Sequence, residues 1–321
     1  MPTIHHEFLH SWATTALTAT GVHPPDAELI ARCLVDVDLL GVKSHGTRLL
    51  RRYVNEYREG LINPRPKIRQ VKDAGGIVQY DGDGGAGYLV ATVAVDTACE
   101  AALEHGIAMA STFNHGHVGS AGIYARRAID CGLISWCMEG GVDWAPPREP
   151  NATIWDAIRE PPMCFGVPAD PEGPPLVVDM NANLFGGSAD VARAISEGFP
   201  KAVFGSLGMR FVSTLVGGLS GRQSNVPDRK HKGANRGFQF VAIDPNAIAD
   251  GAVFRAHVRH VIDESLKLEP IGGTDRAELP GSLEWKRTRK WSENGVPIPD
   301  DHAELLEQIA AEADIDPPQW L

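Results

Sequence analysis

Up to Gly60 the apolar residues recur at helical spacing. Beyond Pro64 and Pro66 that period gives way to short apolar runs alternating with amphipathic stretches. A chain with this switch must cover a sheet with helices, so it reads as an α/β protein. The first helix is expected over residues 4–18. The second starts at Pro24-Pro25-Asp26 with Asp26 as its cap, carries Leu29, Ile30, Cys33, Leu34, Val37 and Leu40 on one stripe, and ends at Gly41. A third helix bears Leu49, Leu50, Tyr53, Val54 and Tyr57. Strands are expected at 76–80, 107–113, 133–138, 163–167, 176–179 and 238–243. Helices are expected at 88–105, 120–131, 188–196, 207–219, 254–268 and 303–313. The stretch 142–162, rich in Trp and Pro, is too long for a plain connector. Residues 221–234, with Arg222, Arg229, Lys230, His231 and Lys232, read as an exposed basic loop. The expected division is a helical part at 1–75, a central α/β part at 76–244, and a mostly helical part at 245–321 that packs with the first.

The 321 residues carry a formal charge of −11, which repels polyanions and argues against nucleic acid as a partner. The field does not exclude a locally basic pocket for a small anion. Five cysteines, none at CxxC spacing, read as buried free thiols in a reducing compartment. The first ten residues lack a signal-peptide pattern, and no apolar run is long enough to span a bilayer. A cytoplasmic protein with no membrane partner is the expectation.

Three motifs bear chemistry. Gly82-Asp83-Gly84-Gly85-Ala86-Gly87 satisfies the dinucleotide fingerprint between a strand and a helix, and Glu100 lies near the distance of a ribose-binding acid. Asp81 and Asp83 would then sit beside a pyrophosphate, and the preceding chain is helical, so a glycine-rich turn is the preferred reading. Ser44-His45-Gly46 stands at the mouth of the third helix, where Ser44 could cap it and backbone N–H groups suit a carboxylate. Arg48, Arg51 and Arg52 follow, and one could grip that carboxylate with two parallel bonds. Asn114-His115-Gly116-His117 lies between a strand and a helix, where α/β layers bind ligands and where an imidazole can move a proton. His115 and His117 could supply half of a zinc site, but no third and fourth ligands stand at metal spacing, so no metal is expected.

Taken together, DLLGVKSHGTRLLRRYV at 38–54, EHGIAMASTFNHGHVGSAGIYARRAIDCGLIS at 104–135, VVDM at 177–180, GFQFVAIDP at 237–245 and ELPG at 278–281 resemble the non-Rossmann malate/L-lactate dehydrogenase family. That family includes ureidoglycolate dehydrogenase, diketogulonate reductase, sulfolactate dehydrogenase and piperideine-2-carboxylate reductase. The order and spacing fit over nearly the whole chain. The resemblance implies a central mixed sheet with a helical domain built from both chain ends, and a homodimer whose protomers share the active site. It implies an oxidoreductase on a small carboxylate, a 2-hydroxy or 2-oxo acid or a cyclic imino acid, with NAD or NADP as cofactor. It further implies His117 as acid/base, His45 as a second catalytic residue, and Ser44, Arg48, Arg52, Asn114 and His115 around the substrate. Cofactor contacts would fall at Asp179, Met180, Asn181, Gly205, Gly281 and Ser282.

The departures cluster on the cofactor side. Arg159-Glu160-Pro161-Pro162 stands where the family has a GTNP motif, and Asn181-Ala182-Asn183 where it has Ala-Thr-Ser. The following segment is about 25 residues shorter than usual. The family lysine falls at Phe204 or Gly205, with Lys201 the nearest. Ser282-Leu283 replaces the acid after LPG, with Glu284 displaced. The family arginine often lies one position beyond Arg48. The histidine side is intact, so a lyase, hydratase or isomerase that uses the same histidines without a cofactor is the alternative reading. A non-catalytic binder that docks through the tail at Trp320 is a third.

Overall fold

A computed structural model describes residues 1–221 and 228–321; Arg222, expected in the basic loop, lies outside them. The chain opens with a two-residue strand β1 (Thr3–Ile4), followed by α1 (His6–Thr18), α2 (Pro24–Leu40) and α3 (Leu50–Arg58), the last entered through a 3-10 turn at Thr47–Leu49. Ile4 is thus in a strand and not in the first helix. Asp26 lies in the first turn of α2; the cap falls three residues earlier, at His23, with Pro24 just inside, where a missing N–H costs nothing. Gly41 closes α2 at φ 77°.

The central part runs β2 (Arg69–Asp73), β3 (Ile77–Asp81), α4 (Gly87–His105), β4 (Ile107–His115), α5 (Gly122–Asp130), β5 (Ile134–Gly141), β6 (Pro162–Val167), β7 (Leu176–Asn181), α6 (Ser188–Ser196), α7 (Pro200–Gly217) and β8 (Arg236–Ile243). The remainder is α8 (Gly251–Ser265), α9 (Ser282–Asn294), β9 (Val296–Pro297) and α10 (Asp300–Ala313). Seven strands form one sheet in the order β2-β3-β4-β8-β5-β6-β7. Only β3 and β4 pair in parallel; every other neighbour is antiparallel, so the sheet is mixed. β2 has five exposed residues in a row and no alternating signal to announce it. It nevertheless joins the sheet from the N-terminal side of the expected boundary at 75/76.

Both chain ends meet. β1 pairs with β9, the Trp12 indole N–H donates to the Asp316 carbonyl, and the Leu321 N–H donates to Thr3. Trp320 packs against the core and donates to Glu307, which favours a packed terminal residue over a docking tail. One apolar cluster joins the N-terminal helices, the sheet and α10; a smaller one unites Trp155 with Val191, Ala194, Val203 and Leu207 beneath α6 and α7. Cys99, Cys137 and Cys164 are buried and Cys33 half-buried, but Cys131 is exposed at the end of α5, against the expectation for it. Among the described residues no helix is long and apolar enough to cross a membrane.

Candidate active site

β4 delivers the histidine loop. Its last residue, His115, is fully buried, with Nε2 bonded to Thr112 Oγ1 at 2.8 Å and Nδ1 to the Gly116 carbonyl at 2.7 Å. Burial holds its imidazole down at about 4. His115 therefore does not face a substrate; it fastens the loop. Asn114 sits at φ 56°, and its side-chain amide donates to Asp81, so it too is tied to the scaffold. The glycine-rich turn packs behind this loop: Gly84 N–H donates to Asn114 and Gly116 N–H to Gly85. A Cβ on Gly87 would lie 2.4 Å from the Gly116 oxygen. These glycines allow two backbones to touch, and the turn is not an open phosphate cradle.

His117, two residues further on, points elsewhere. Its Nδ1 shares a 2.8 Å hydrogen bond with the Tyr53 hydroxyl, which also meets the Tyr88 hydroxyl at 3.1 Å. Its ring lies 5.8 Å from that of His45. Burial holds the imidazole well below the usual histidine range, aided by the charges of Arg52, Arg236 and His45.

The Ser-His-Gly segment is placed by a buried acid. Asp38 on α2 accepts from the Thr47 amide at 2.9 Å and from the Thr47 hydroxyl at 2.6 Å, and that hydroxyl also meets His302 Nε2 at 3.1 Å. Burial pushes the Asp38 carboxyl up to about 6, against the lowering effect of Thr47 and Arg48. Gly46 is required for space: a Cβ there would fall 1.8 Å from Asp38 Oδ1. Ser44 caps no helix. It is exposed and shares a 2.8 Å hydrogen bond with His45 Nδ1, which leaves Nε2 of His45 unoccupied by it.

The arginines separate by partner. Arg48 is paired with Asp301, Arg51 with Glu312, and Arg52 with Glu56 through its Nε. Arg236, at the start of β8, was not anticipated from sequence. Its nearest acid is Glu139, with Nε 3.9 Å from Oε1, beyond hydrogen-bond range. Glu139 is 1% exposed, and its Oε2 is 4.0 Å from His117 Nε2. The signal for Glu139 was available: Ser135, Cys137 and Glu139 occupy alternate, inward positions of β5.

The expected cofactor residues lie along and beside β7, but unequally. Asp179 Oδ2 accepts from Ser120 Oγ at 2.6 Å and from the Gly122 N–H at 2.8 Å, and so caps the start of α5. Ser282 is buried and bonded to Glu278 and Leu279, while a Cβ on Gly281 would meet the Pro175 oxygen at 2.7 Å. Those two secure the start of β7 and are not presented to a ligand. Met180 is half-buried, and Asn181 is exposed at the strand end. There Ser206 on α7 bridges the Ala182 carbonyl and the Leu184 amide. Gly205 is exposed, with open space where a Cβ would stand. A cavity of about 440 Å³ opens between α6 and the start of α7, lined by Leu184, Phe185 and Phe199 on its apolar side and by Asp190, Arg193 and Glu197 on its charged side. The long 142–162 segment closes this side. Arg210 stacks on Trp155 at 4.5 Å and donates to the Trp155 and Arg159 carbonyls. Of the basic loop, Arg229 pairs with Asp143 and His231 bonds the Gly60 carbonyl. Among the described residues no cluster of three or more His, Cys, Asp or Glu is placed to hold a metal.

Comparison with known proteins agrees with this architecture. Residues 4–204 match the family model described as malate/L-lactate dehydrogenase. The chain is 31% identical over 194 residues to the malate dehydrogenase of Pyrococcus abyssi, an alignment spanning 60% of this chain and 52% of that enzyme. It thus matches about half the length of that relative. It is 24% identical to the ureidoglycolate dehydrogenase (NAD(+)) of Escherichia coli K12, with 94% of each chain covered. Among solved structures, the malate dehydrogenase of Pyrococcus horikoshii OT3 superposes with a TM-score of 0.81 at 24% identity, covering 98% of this chain and 96% of that one.

Proposed function

This chain belongs to the malate/L-lactate dehydrogenase family, and from that premise we propose that it is an NAD(P)-dependent oxidoreductase interconverting a small 2-hydroxy acid and its 2-oxo acid. The observation that carries the reading is the meeting of His45 and His117, whose rings are 5.8 Å apart although α2, α3 and α4 separate or flank them in sequence. His117 takes the hydroxyl proton in oxidation and returns it in reduction, a role worth roughly 10²–10⁴-fold in rate. Tyr53 suits both directions. Its hydroxyl can donate to Nδ1, which leaves a proton on Nε2, or accept from Nδ1, which leaves Nε2 a base. The depressed proton affinity of His117 keeps the ring neutral and ready as a base at neutral pH. His45 and Ser44 meet the substrate oxygens. Arg236, held by no hydrogen bond among the described residues, is the carboxylate anchor, with Arg52 beside it; Arg48 is engaged by Asp301.

The residues present fit a nicotinamide cofactor at the β7–α7 corner, where the open face at Gly205 and the exposed Leu184, Phe199 and Phe204 offer a flat apolar surface. Asn181 and Gly205 would hold it; when bound it accepts or supplies the hydride. The homodimer and a cytoplasmic setting are part of the same proposal. The internal engagement of Asp179, Gly281 and Ser282 favours keeping the cofactor-free lyase, hydratase or isomerase as the second reading.

Fluorescence titration with NADH and NADPH separates the two. Saturable binding, followed by turnover of a panel of 2-hydroxy and 2-oxo acids that is lost in His117→Ala, is the expected result. Absence of binding by either nucleotide ends the redox reading.

A further inference from the structure

Among the described residues, Glu139 is the buried acid with both carboxylate oxygens unpartnered. It is 1% exposed, and neither carboxylate oxygen has a partner at full hydrogen-bond geometry. A buried acid in that state is costly unless a neighbour or a reaction uses its charge. Its position is well defined. The C-terminal end of α7 crosses β5 so closely that a Cβ on Gly217 would fall 2.4 Å from the Glu139 carbonyl carbon. The side chain therefore projects from a rigid strand into the space between Arg236 and His117.

We infer that Glu139 is a positioning residue whose carboxylate is the counter-charge for the His117 imidazolium formed when His117 takes a substrate proton. The inference rests on the reading of His117 as the acid/base. His117 is surrounded by Arg52 and Tyr53 from α3, Arg236 from β8 and His45 from the loop after α2. All the charged groups among these oppose a positive ring. Glu139, from β5, is the one carboxylate within ion-pair range of His117 among the described residues, at 4.0 Å from Nε2. That gap is too long for a ground-state hydrogen bond and close enough for strong attraction once the ring is charged. Burial raises the Glu139 carboxyl above its usual range, and Arg236, His115, the Val118 amide and Arg52 draw it back towards the ionised form, while Tyr53 and Tyr124 lie close by. The pair therefore stores a negative charge where the reaction creates a positive one, without touching the substrate.

The test uses the ligand-free protein, so a failed dehydrogenase assay leaves it intact. Histidine ring signals are followed by NMR from pH 8 to 4.5, with the His117 signal identified by its loss in His117→Asn. The expected result is a His117 midpoint at least one pH unit lower in Glu139→Gln than in the unsubstituted chain, a tenfold smaller protonated fraction. Glu139→Asp, which keeps the charge, should restore most of the difference. Equal midpoints, or a ring that stays neutral to pH 4.5 in both proteins, overturn the inference. A second measurement needs no variant: carbon-13 labelling should show the Glu139 carboxyl ionised at pH 7, and a neutral acid there also overturns it. If turnover is established, Glu139→Gln should lower kcat more than it raises KM.

Discussion

His115 offers a direct measure of how the histidine loop is held. The ring is buried, both nitrogens are bonded, and its proton affinity is depressed from 6.5 to about 4. The unfolded chain binds a proton at ordinary histidine pH and the folded one does not. Stability is therefore complete above pH 6.5 and is lost as pH falls towards 4. The difference corresponds to about 3 kcal/mol, most of it already lost at pH 4.5. His302, depressed to about 4 by burial and by Arg48, contributes a loss in the same window. Asp38 works against both, since its carboxyl is raised to about 6 and protonation of the folded state relieves a buried charge as pH falls; that returns about 2 kcal/mol at pH 4.5. These three groups together thus contribute a loss of about 3 kcal/mol between pH 7.5 and 4.5, and the His115 share is isolated by comparing parent and variant in urea unfolding followed by tryptophan fluorescence. His115→Gln keeps a polar side chain but has no titrating group. It should start less stable at pH 7.5 and show a pH-dependent loss smaller by about 2–3 kcal/mol. If the variant and the parent lose stability equally between the two pH values, His115 is not a buried neutral anchor and the placement of the loop is wrong.

Three further substitutions probe the site. Gly46→Ala must push the Asp38 carboxylate away from Thr47, leaving the buried Thr47 amide unpaired and its hydroxyl with His302 alone; a loss of about 2–3 kcal/mol in urea unfolding is expected, and an unchanged midpoint would show that Asp38 does not pack there. Tyr53→Phe removes the hydroxyl on His117 Nδ1 and should lower kcat about tenfold with little change in KM; full kcat would remove Tyr53 from the proton path. Asp179→Ala uncaps α5 and should cost about 1 kcal/mol in thermal unfolding. Stability retained with weaker NADH binding would instead make Asp179 a cofactor contact.

What could be seen in the sequence followed from local rules. The helical stripe of α2, its Gly41 stop and the βαβ run from β3 to β4 depend on spacing within a dozen or so residues, and these elements stand where that spacing put them. Both histidine motifs were visible because glycines beside histidines in loops that lead into a helix are locally unusual. The roles inside those motifs were harder to see, because burial decides them. His115 and His117 are two residues apart, yet one is fastened inside and the other faces His45, and nothing in NHGH distinguishes them. The groups that position the site come from distant sequence. Asp38 reads as one more polar residue on an amphipathic helix until Gly46 and Thr47 fold onto it. β2 carries no alternation, since its exposed edge needs none.

Glu139 and Arg236 show the same limit from the chemical side. The alternation of Ser135, Cys137 and Glu139 marks the acid as inward without saying what it meets, and an arginine before a strand reads as its solvated start. Only the pairing of β5 with β8, which sets Gly141 opposite Arg236 and Glu139 opposite Phe238, brings the two charges to one end of the sheet behind His117. A charge pair formed by strand register has no spacing signature in one chain. It is the register of β5 on β8, and neither histidine motif, that places a carboxylate 4.0 Å from His117.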